Sequence, residues 1–464
     1  VRKEFQKWHG GRPWLTNVML CLLGYGLMMM ARQFVAETDH FTIGFSGVSG
    51  WSAILYMAAV AVILTQPVDR KTVWIVLGWA LAMRAMMLFE QPYLSSDIYR
   101  YVWDGVVQHA GVNPYRYVPG DQALAYLRAP NQPVFDNINR RDYARTIYPP
   151  VAQMVYWLAT FFEPTVQGMK AAMFAFECVT AAAIVAMLRR MGRPIAEVLM
   201  YAWCPLLVWE IAGAGHVDAA VYAFVMLALL FRFREQPVWV GFFLGCAVMT
   251  KFYPLVLLPA LWKRGDWKMP AVLASVCAVG YAMYSSVGML VFGFLGGYSK
   301  EEGLDTGARY FPLDWIRQFH RASPLPTSVY LVFCALVLGG IALWCWKHAT
   351  VATASGSIGA PAFVKGSMML ALAMMLLFSP HYAWYIAWLI PLMALWPNWA
   401  TMAYVCVFFY GFTTRWADGT AVNMFLLNGW VYRTVLLGLL IGVAWSRGDV
   451  GRWFGGRRVV LNDG

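Results

Sequence analysis

The run VWIVLGWALAMRAMML, residues Val73 to Leu88, is followed after four residues by YLSSDIYRYVWDGVVQHAGVNPYRYVP, residues Tyr93 to Pro119. The first stretch is apolar over a length that suits a membrane span. The second gathers aspartates, arginines and aromatics. Runs like the first recur from end to end: 60% of the 464 residues are hydrophobic and 13% are charged, against about 25% charged in soluble proteins. The reading is an all-α polytopic membrane protein with about 12–14 transmembrane or re-entrant helices. Residues 1–464 form a single transmembrane domain in this reading, and the polar stretch lies in a loop between spans.

The net charge of +12 marks cytoplasmic loops, where Lys and Arg accumulate, rather than a surface for nucleic acid. Arg2, Lys3, Lys7 and Arg12 precede the first apolar run, which carries no small-residue cleavage pattern and reads as retained. The N-terminus is therefore expected inside. The chain crosses outward near 13–32, returns near 51–64, turns at Asp69-Arg70-Lys71 and leaves again through 73–88. Residues 91–147 become a first large outer loop. The run 148–162 is short and reads as re-entrant or interfacial. Further spans are expected near 169–188, 196–211, 219–231 and 270–291, with a hairpin of short helices over 239–250 and 253–261. A second outer loop covers 293–327. Later spans fall near 329–346, 368–378, 385–395, 402–412 and 430–445, and Arg447, Arg452, Arg457 and Arg458 place the C-terminus inside. A small-residue linker covers 351–361. The eight cysteines all fall in apolar segments without CxxC spacing, so they read as core residues rather than disulfides or a zinc site.

Inner loops are short and basic, while the outer loops are long and mixed in charge, which points to a site on the outer side. Ser95-Ser96-Asp97 is a helix start: a serine caps, and Asp97 sits where the helix dipole favours a carboxylate. Helical spacing puts Asp97, Tyr101, Asp104 and Gln108 on one face, with Ile98, Val102 and Val106 opposite and Tyr99 and Trp103 at the flanks. This is an amphipathic helix at the membrane surface presenting carboxylates. The same face also suits the solvated side of an ordinary interfacial helix.

Arg84, Glu177, Glu210 and Lys251 lie in or at the ends of apolar spans, where ionisable groups line a cavity or pair with each other. Lys251, in Thr250-Lys251-Phe252-Tyr253-Pro254, suits a lipid phosphate, with Glu177 or Glu210 as the structural alternative. His216 and Asp218 in Gly215-His216-Val217-Asp218 have ligand chemistry, yet two ligands do not make a metal site. His381, in Ser379-Pro380-His381-Tyr382-Ala383-Trp384-Tyr385, suits orientation of an acceptor or phosphate, or an aromatic belt at the interface.

Taken together, these motifs resemble the polytopic GT-C-fold glycosyltransferases, and most closely the bacterial glycosyltransferase family 87-like mannosyltransferases that use polyprenyl-phosphate sugars. The likeness runs through Ser95 to Gly105 with Asn113-Pro114-Tyr115, then Tyr148-Pro149-Pro150, Gly215 to Asp218, Thr250 to Pro254 and Pro380 to Tyr385, in that order. It implies a GT-C fold and a catalytic base in the first outer loop, matched here by Asp97. The implied donor is a polyprenyl-phosphate sugar and the implied acceptor a lipid or glycan. The next acidic residue in the loop, Asp104, is two helical turns on rather than beside Asp97, which leaves a divalent metal open without indicating one, and no other cofactor is expected.

The chemistry assigns the remaining roles. Transfer requires proton removal from the attacking hydroxyl, charge neutralisation on the departing phosphate and alignment of the two substrates. Asp97 with His381 supplies the catalytic pair. Lys251, Arg100, Arg145 and Arg309 are the candidates for the phosphate. Tyr99, Tyr101, Trp103, Asp104, Tyr148, His216, Asp218, Tyr382, Trp384 and Tyr385 are the candidates for sugar and acceptor. The expected function is an inverting transferase, with mannose as the expected sugar, on the periplasmic face of a bacterial inner membrane, with membrane lipids as partners and no nucleic acid. A glycolipid transporter is the alternative from another class and would show paired repeats and helices broken at midplane. A non-catalytic envelope scaffold would not require these carboxylates.

Overall fold

The computed structural model describes residues 12–38, 44–307, 310–319, 324–348, 360–379 and 382–417, with a few positions between 432 and 440. Arg2, Lys3, Lys7, the basic residues at the C-terminus, most of the 351–361 linker, most of the 430–445 run, Arg309 and His381 lie outside the described residues. The principal helices are α1 (Pro13–Thr38), α2 (Gly44–Thr65), α3 (Arg70–Leu88), α4 (Asp97–His109), α5 (Pro150–Phe162) and α6 (Val166–Arg190). They continue with α7 (Asp218–Phe233), α8 (Pro237–Val248), α9 (Lys268–Met283), α10 (Thr327–His348), α11 (Ala362–Phe378) and α12 (Trp399–Ala417). Among the described residues there is no strand. Helices α1, α2, α3, α6 and α10 are long and apolar enough to cross a bilayer, and several shorter apolar helices accompany them. The chain is an all-α polytopic membrane protein.

The chain divides into two compact units. One comprises Val1–Ala80, Pro194–Pro205 and Pro397–Gly464; the other comprises Leu81–Arg193 and Leu206–Trp396. In the first unit α2 packs against α1 and α12. Asp69 caps α3, its Oδ1 accepting from the Thr72 N–H at 2.9 Å and from Asn17 Nδ2 at 3.2 Å, which satisfies a helix-terminal donor in the usual way. The Tyr56 hydroxyl donates to the Met200 carbonyl at 2.6 Å, and the Trp203 indole N–H to the Val76 carbonyl at 2.8 Å. These bonds pair backbone carbonyls that bulk water cannot reach.

The second unit holds the polar groups that lipid would not tolerate alone. Helix α7 packs between α6 and α8, α8 packs on α9, and α10 on α11. Arg84 of α3 and Glu177 of α6 meet at 2.9 Å, both nearly buried. Lys170, fully buried, donates to the Met87 and Glu90 carbonyls at the end of α3, where a cation complements the helix dipole. Breaking the Arg84–Glu177 pair from one side is expected to be costly. Glu177→Ala should lower unfolding stability in detergent by about 3–5 kcal/mol, because it strands a buried guanidinium. The Arg84→Met/Glu177→Met double change should cost far less, and equal losses for single and double variants would show that the pair contributes no coupling.

Two expected spans are not continuous. The run 196–211 is interrupted ahead of Pro205, where helix Ile195–Ala202 ends and Pro205–Gly213 begins; proline lacks the N–H that would continue the ladder. The run 270–291 is also not one span: α9 ends at Met283, and the following helical stretch, Ser285–Glu301, turns by 113°. Asn113 Nδ2, from the loop after α4, donates to the Tyr284 carbonyl and the Ser286 hydroxyl, each at 3.0 Å. It thereby satisfies groups exposed at the break, and the helical run that follows is itself interrupted at Gly288, φ +60°.

Candidate active site

Helix α4 starts where expected but does not lie with one face in water. It packs on α5, on α6 and on the short helix Gln132–Phe135. Gly105 permits the approach to α5, since a Cβ there would collide with the Thr160 side chain and the Tyr156 carbonyl. Ile98 and Val102 are buried, and so are Arg100, Tyr101, Trp103 and Asp104 on the other sides. The polar face finds its partners inside the protein. Arg100 Nε donates to Asp104 Oδ1 at 2.8 Å, and Arg100 Nη1 to the Ala144 carbonyl at 3.0 Å. Gln153 Nε2 donates to Asp104 Oδ2 at 2.9 Å, while Gln108 accepts from the Tyr284 hydroxyl at 2.9 Å. Asp104 and Arg100 therefore hold α4 in place, and Trp103 packs on Phe135 as a core residue. Of the two serines at the helix start, Ser96 makes no side-chain cap, and the Ser95 hydroxyl accepts from the Asp97 N–H at 3.2 Å.

Asp97 differs from Asp104. It is half-buried, its Oδ1 accepts from Asn139 Nδ2 at 3.0 Å, and among the described residues no cation is paired with it. Asn139 also donates to the Ser96 hydroxyl at 3.1 Å, so it fixes the carboxylate without neutralising it. Buried tyrosines surround this point. Tyr101 stacks on Tyr156 at 4.6 Å and meets Tyr148 edge-on at 5.0 Å. Burial first and the Asp97 carboxylate second push the Tyr101 and Tyr148 phenols well above their ordinary range. Both therefore stay protonated beside the charge.

The second group of residues is built on the turn 214–217. A π-helical segment, Val208–Gly213, precedes it, and Gly215 adopts φ +73°, a conformation glycine takes at little cost. A Cβ at Gly215 would also strike Ile98 of α4. The turn delivers His216 and Asp218, both fully buried. His216 stacks on Trp384 at 4.3 Å, and its Nε2 lies 3.3 Å from Glu210 Oε2 without hydrogen-bond geometry. Asp218 accepts from Lys251 Nζ at 2.6 Å and from the Tyr253 hydroxyl at 3.1 Å. The partner of Lys251 is thus neither Glu177, which holds Arg84, nor Glu210, which faces His216. Lys251 Nζ also lies 5.2 Å from the centre of the Tyr385 ring. The Tyr385 hydroxyl is 2.7 Å from that of Tyr298 in the helix Leu295–Glu301, and the Tyr298 ring lies 5.9 Å from the guanidinium of Arg140, the neighbour in the chain of the Asn139 that holds Asp97. The two halves of the cluster are therefore joined through Tyr298 and the Asn139-Arg140 pair.

The expected residues sort by position. Asp97, Tyr101, Tyr148, His216, Asp218, Lys251, Tyr382, Trp384 and Tyr385 fall in this linked cluster, with Tyr382 stacked on Trp384 at 4.6 Å. Tyr99 is half-buried on α4. Arg100 is occupied by Asp104, and Arg145 donates to the Arg116 carbonyl at 3.2 Å. Arg309 and His381 lie outside the described residues. Sequence reasoning missed Asn139, Tyr253 and Tyr298. An asparagine in a loop reads as a turn former, and a tyrosine near a span end reads as part of an aromatic belt. Arg140 joins the loop before α5 to the helix Leu295–Glu301 beside the cluster, pairing with Glu301 at 2.7 Å and lying over Tyr298 at 5.9 Å. Among the described residues no three His, Cys, Asp or Glu side chains gather as metal ligands do.

The model of glycosyltransferase family 87 matches residues 146–380, about half of the chain. The matched segment contains Tyr148, His216, Asp218 and Lys251, and Asp97 precedes it. No curated protein and no solved structure matches.

Proposed function

The chain belongs to glycosyltransferase family 87, and from that premise we propose that it is an inverting GT-C-type transferase using a polyprenyl-phosphate sugar, with mannose as the first sugar to test. The acceptor is a lipid or glycan hydroxyl, and the reaction takes place on the periplasmic face of a bacterial inner membrane. The observation that carries this reading is Asp97: a half-buried carboxylate, positioned by Asn139 and paired with no cation among the described residues. A carboxylate held in that way is available to accept a proton.

The acceptor hydroxyl gives its proton to Asp97 as its oxygen bonds to the anomeric carbon. The bond from that carbon to the phosphate oxygen breaks, and polyprenyl phosphate leaves with the electron pair. A single displacement inverts the centre. Lys251 meets the charge on the leaving phosphate; an ammonium has three N–H donors and Asp218 uses one. Tyr382, Trp384 and Tyr385 offer rings for the sugar faces. We read the step as metal-independent, because Asp104, the other carboxylate of α4, is bound to Arg100 and Gln153.

The direct test is transfer by purified protein in vesicles supplied with either polyprenyl-phosphate mannose or a nucleotide sugar. Product from the lipid donor alone is expected, and product from the nucleotide sugar alone refutes the reading. Topology gives an independent check, in a background with the exposed Cys21 and Cys178 replaced. A cysteine at Asp142, whose side chain is 81% exposed, should react with an impermeant thiol reagent from outside, and one at Asp266 should not. The reverse pattern would put α4 on the side where nucleotide sugars are made.

A further inference from the structure

Apart from that cluster, the end of α7, the start of α8 and the loop before α9 enclose a cavity of about 330 Å³. Arg232, Glu235, Lys263, Asp266, Trp267 and Lys268 are among its walls. Two cations converge on one carboxylate there: Glu235 Oε1 accepts from Arg232 Nη1 at 2.7 Å, and Oε2 from Lys263 Nζ at 2.8 Å.

The two sides of this arrangement are not equally fixed. Arg232 is buried, its Nε donating to the Leu261 carbonyl at 3.1 Å and its guanidinium lying over the Phe363 ring at 5.1 Å. Glu235 has a side chain 57% exposed and sits at φ +53°, in the left-handed region that costs a residue with a Cβ. An ion pair this exposed contributes little on its own. The seat for an anion is therefore built into the fold, whereas its present occupant is a tethered, exposed carboxylate on a strained residue. Lys268, at the start of α9, adds a further cation to the walls.

The surroundings indicate where the anion comes from. Trp267 is 70% exposed and Trp239, on the first turn of α8, is 47% exposed. Exposed tryptophans beside lysines at the ends of apolar helices sit at headgroup level in a bilayer. A headgroup phosphate is the anion present there at high local concentration, and each basic residue near a membrane surface attracts it further.

We propose that this cavity binds the phosphate of an anionic membrane lipid, held by Arg232, Lys263 and Lys268, with Glu235 swinging out as the phosphate enters. The test uses the full chain in neutral detergent and reads the rise in melting temperature as phosphatidylglycerol is added. Phosphatidylcholine and inorganic phosphate serve as comparison ligands. Lys263→Gln and Lys268→Gln should each raise the half-saturating phosphatidylglycerol concentration by about 5-fold. Glu235→Gln should lower it, because the competing carboxylate is gone. Asp142→Asn makes the same charge change in the first outer loop and should leave it unaltered, which separates the site from general electrostatic attraction. All of these residues are exposed enough for their variants to fold. The proposal is overturned if Glu235→Gln binds no tighter than Asp142→Asn, or if the lysine variants bind as the parent does. It is equally overturned if inorganic phosphate gives the same stabilisation and removes the lipid's effect, since the ligand would then be free phosphate.

Discussion

Asp97→Asn is expected to lower the turnover of sugar transfer by at least about 10²-fold, the scale of general-base loss, while the protein folds and binds donor as before. The substitution is nearly isosteric. The Asn139 amide that now donates to Asp97 Oδ1 at 3.0 Å can donate to the new amide oxygen just as well. Tyr101, Tyr148 and Tyr156 pack on one another through their rings and do not depend on the charge for that packing. What disappears is a group able to accept the acceptor's proton. The measurement is single-turnover transfer with donor saturating, alongside a melting curve. A folded Asp97→Asn protein that transfers sugar at a rate near the parent's would remove Asp97 from the mechanism. The lipid donor would then need another base, and Asp104 and Asp218 are already engaged, by Arg100 and Lys251.

How far the sequence reveals this site depends on the distance over which each cue acts. The long apolar helices at Arg70–Leu88, Val166–Arg190 and Thr327–His348 are legible because hydropathy is local and lipid imposes it on every residue. The start of α4 at Asp97 is legible for the same reason, since serines followed by an acidic first turn mark a helix terminus. The environment of α4 is not. Its polar face looks solvated in sequence, yet it is matched by Gln153, the Ala144 carbonyl and Tyr284, contributed from other parts of the chain. Periodicity reports a polar face, not whether water or protein covers it. At the break after Met283, one of the groups that meets the exposed backbone is likewise distant in sequence, Asn113 of the loop after α4. For Lys251, the need for an anion follows from burial alone. Choosing between Glu177, Glu210 and Asp218 requires knowing which carboxylate arrives at the same depth, and Asp218, 33 residues away, had the appearance of a companion to His216.

That pairing changes what Lys251→Met should do. The Asp218 side chain is fully buried and that of Lys251 is 12% exposed, so removing the ammonium strands a carboxylate that keeps only the Tyr253 hydroxyl. Breaking a buried pair from one side costs about 3–5 kcal/mol, and Lys251→Met is expected to be destabilised on that scale as well as deficient in transfer. A loss of activity in this variant alone therefore says nothing about phosphate. The Lys251→Met/Asp218→Asn double variant separates the two effects. Asparagine fills the place of Asp218 without a charge and can still accept from Tyr253, so the double variant should recover most of the lost stability. If Lys251 also meets the leaving phosphate, transfer should stay low in the double variant, with a raised KM for the donor or a reduced rate at saturation. If the ammonium serves only to neutralise Asp218, activity should return together with the melting temperature. Recovery of both would reduce Lys251 to a structural counter-ion and leave the phosphate without its proposed partner. Recovery of stability alone would place the lysine in the reaction, where the Tyr385 ring at 5.2 Å links it to the half of the cluster that contains Asp97.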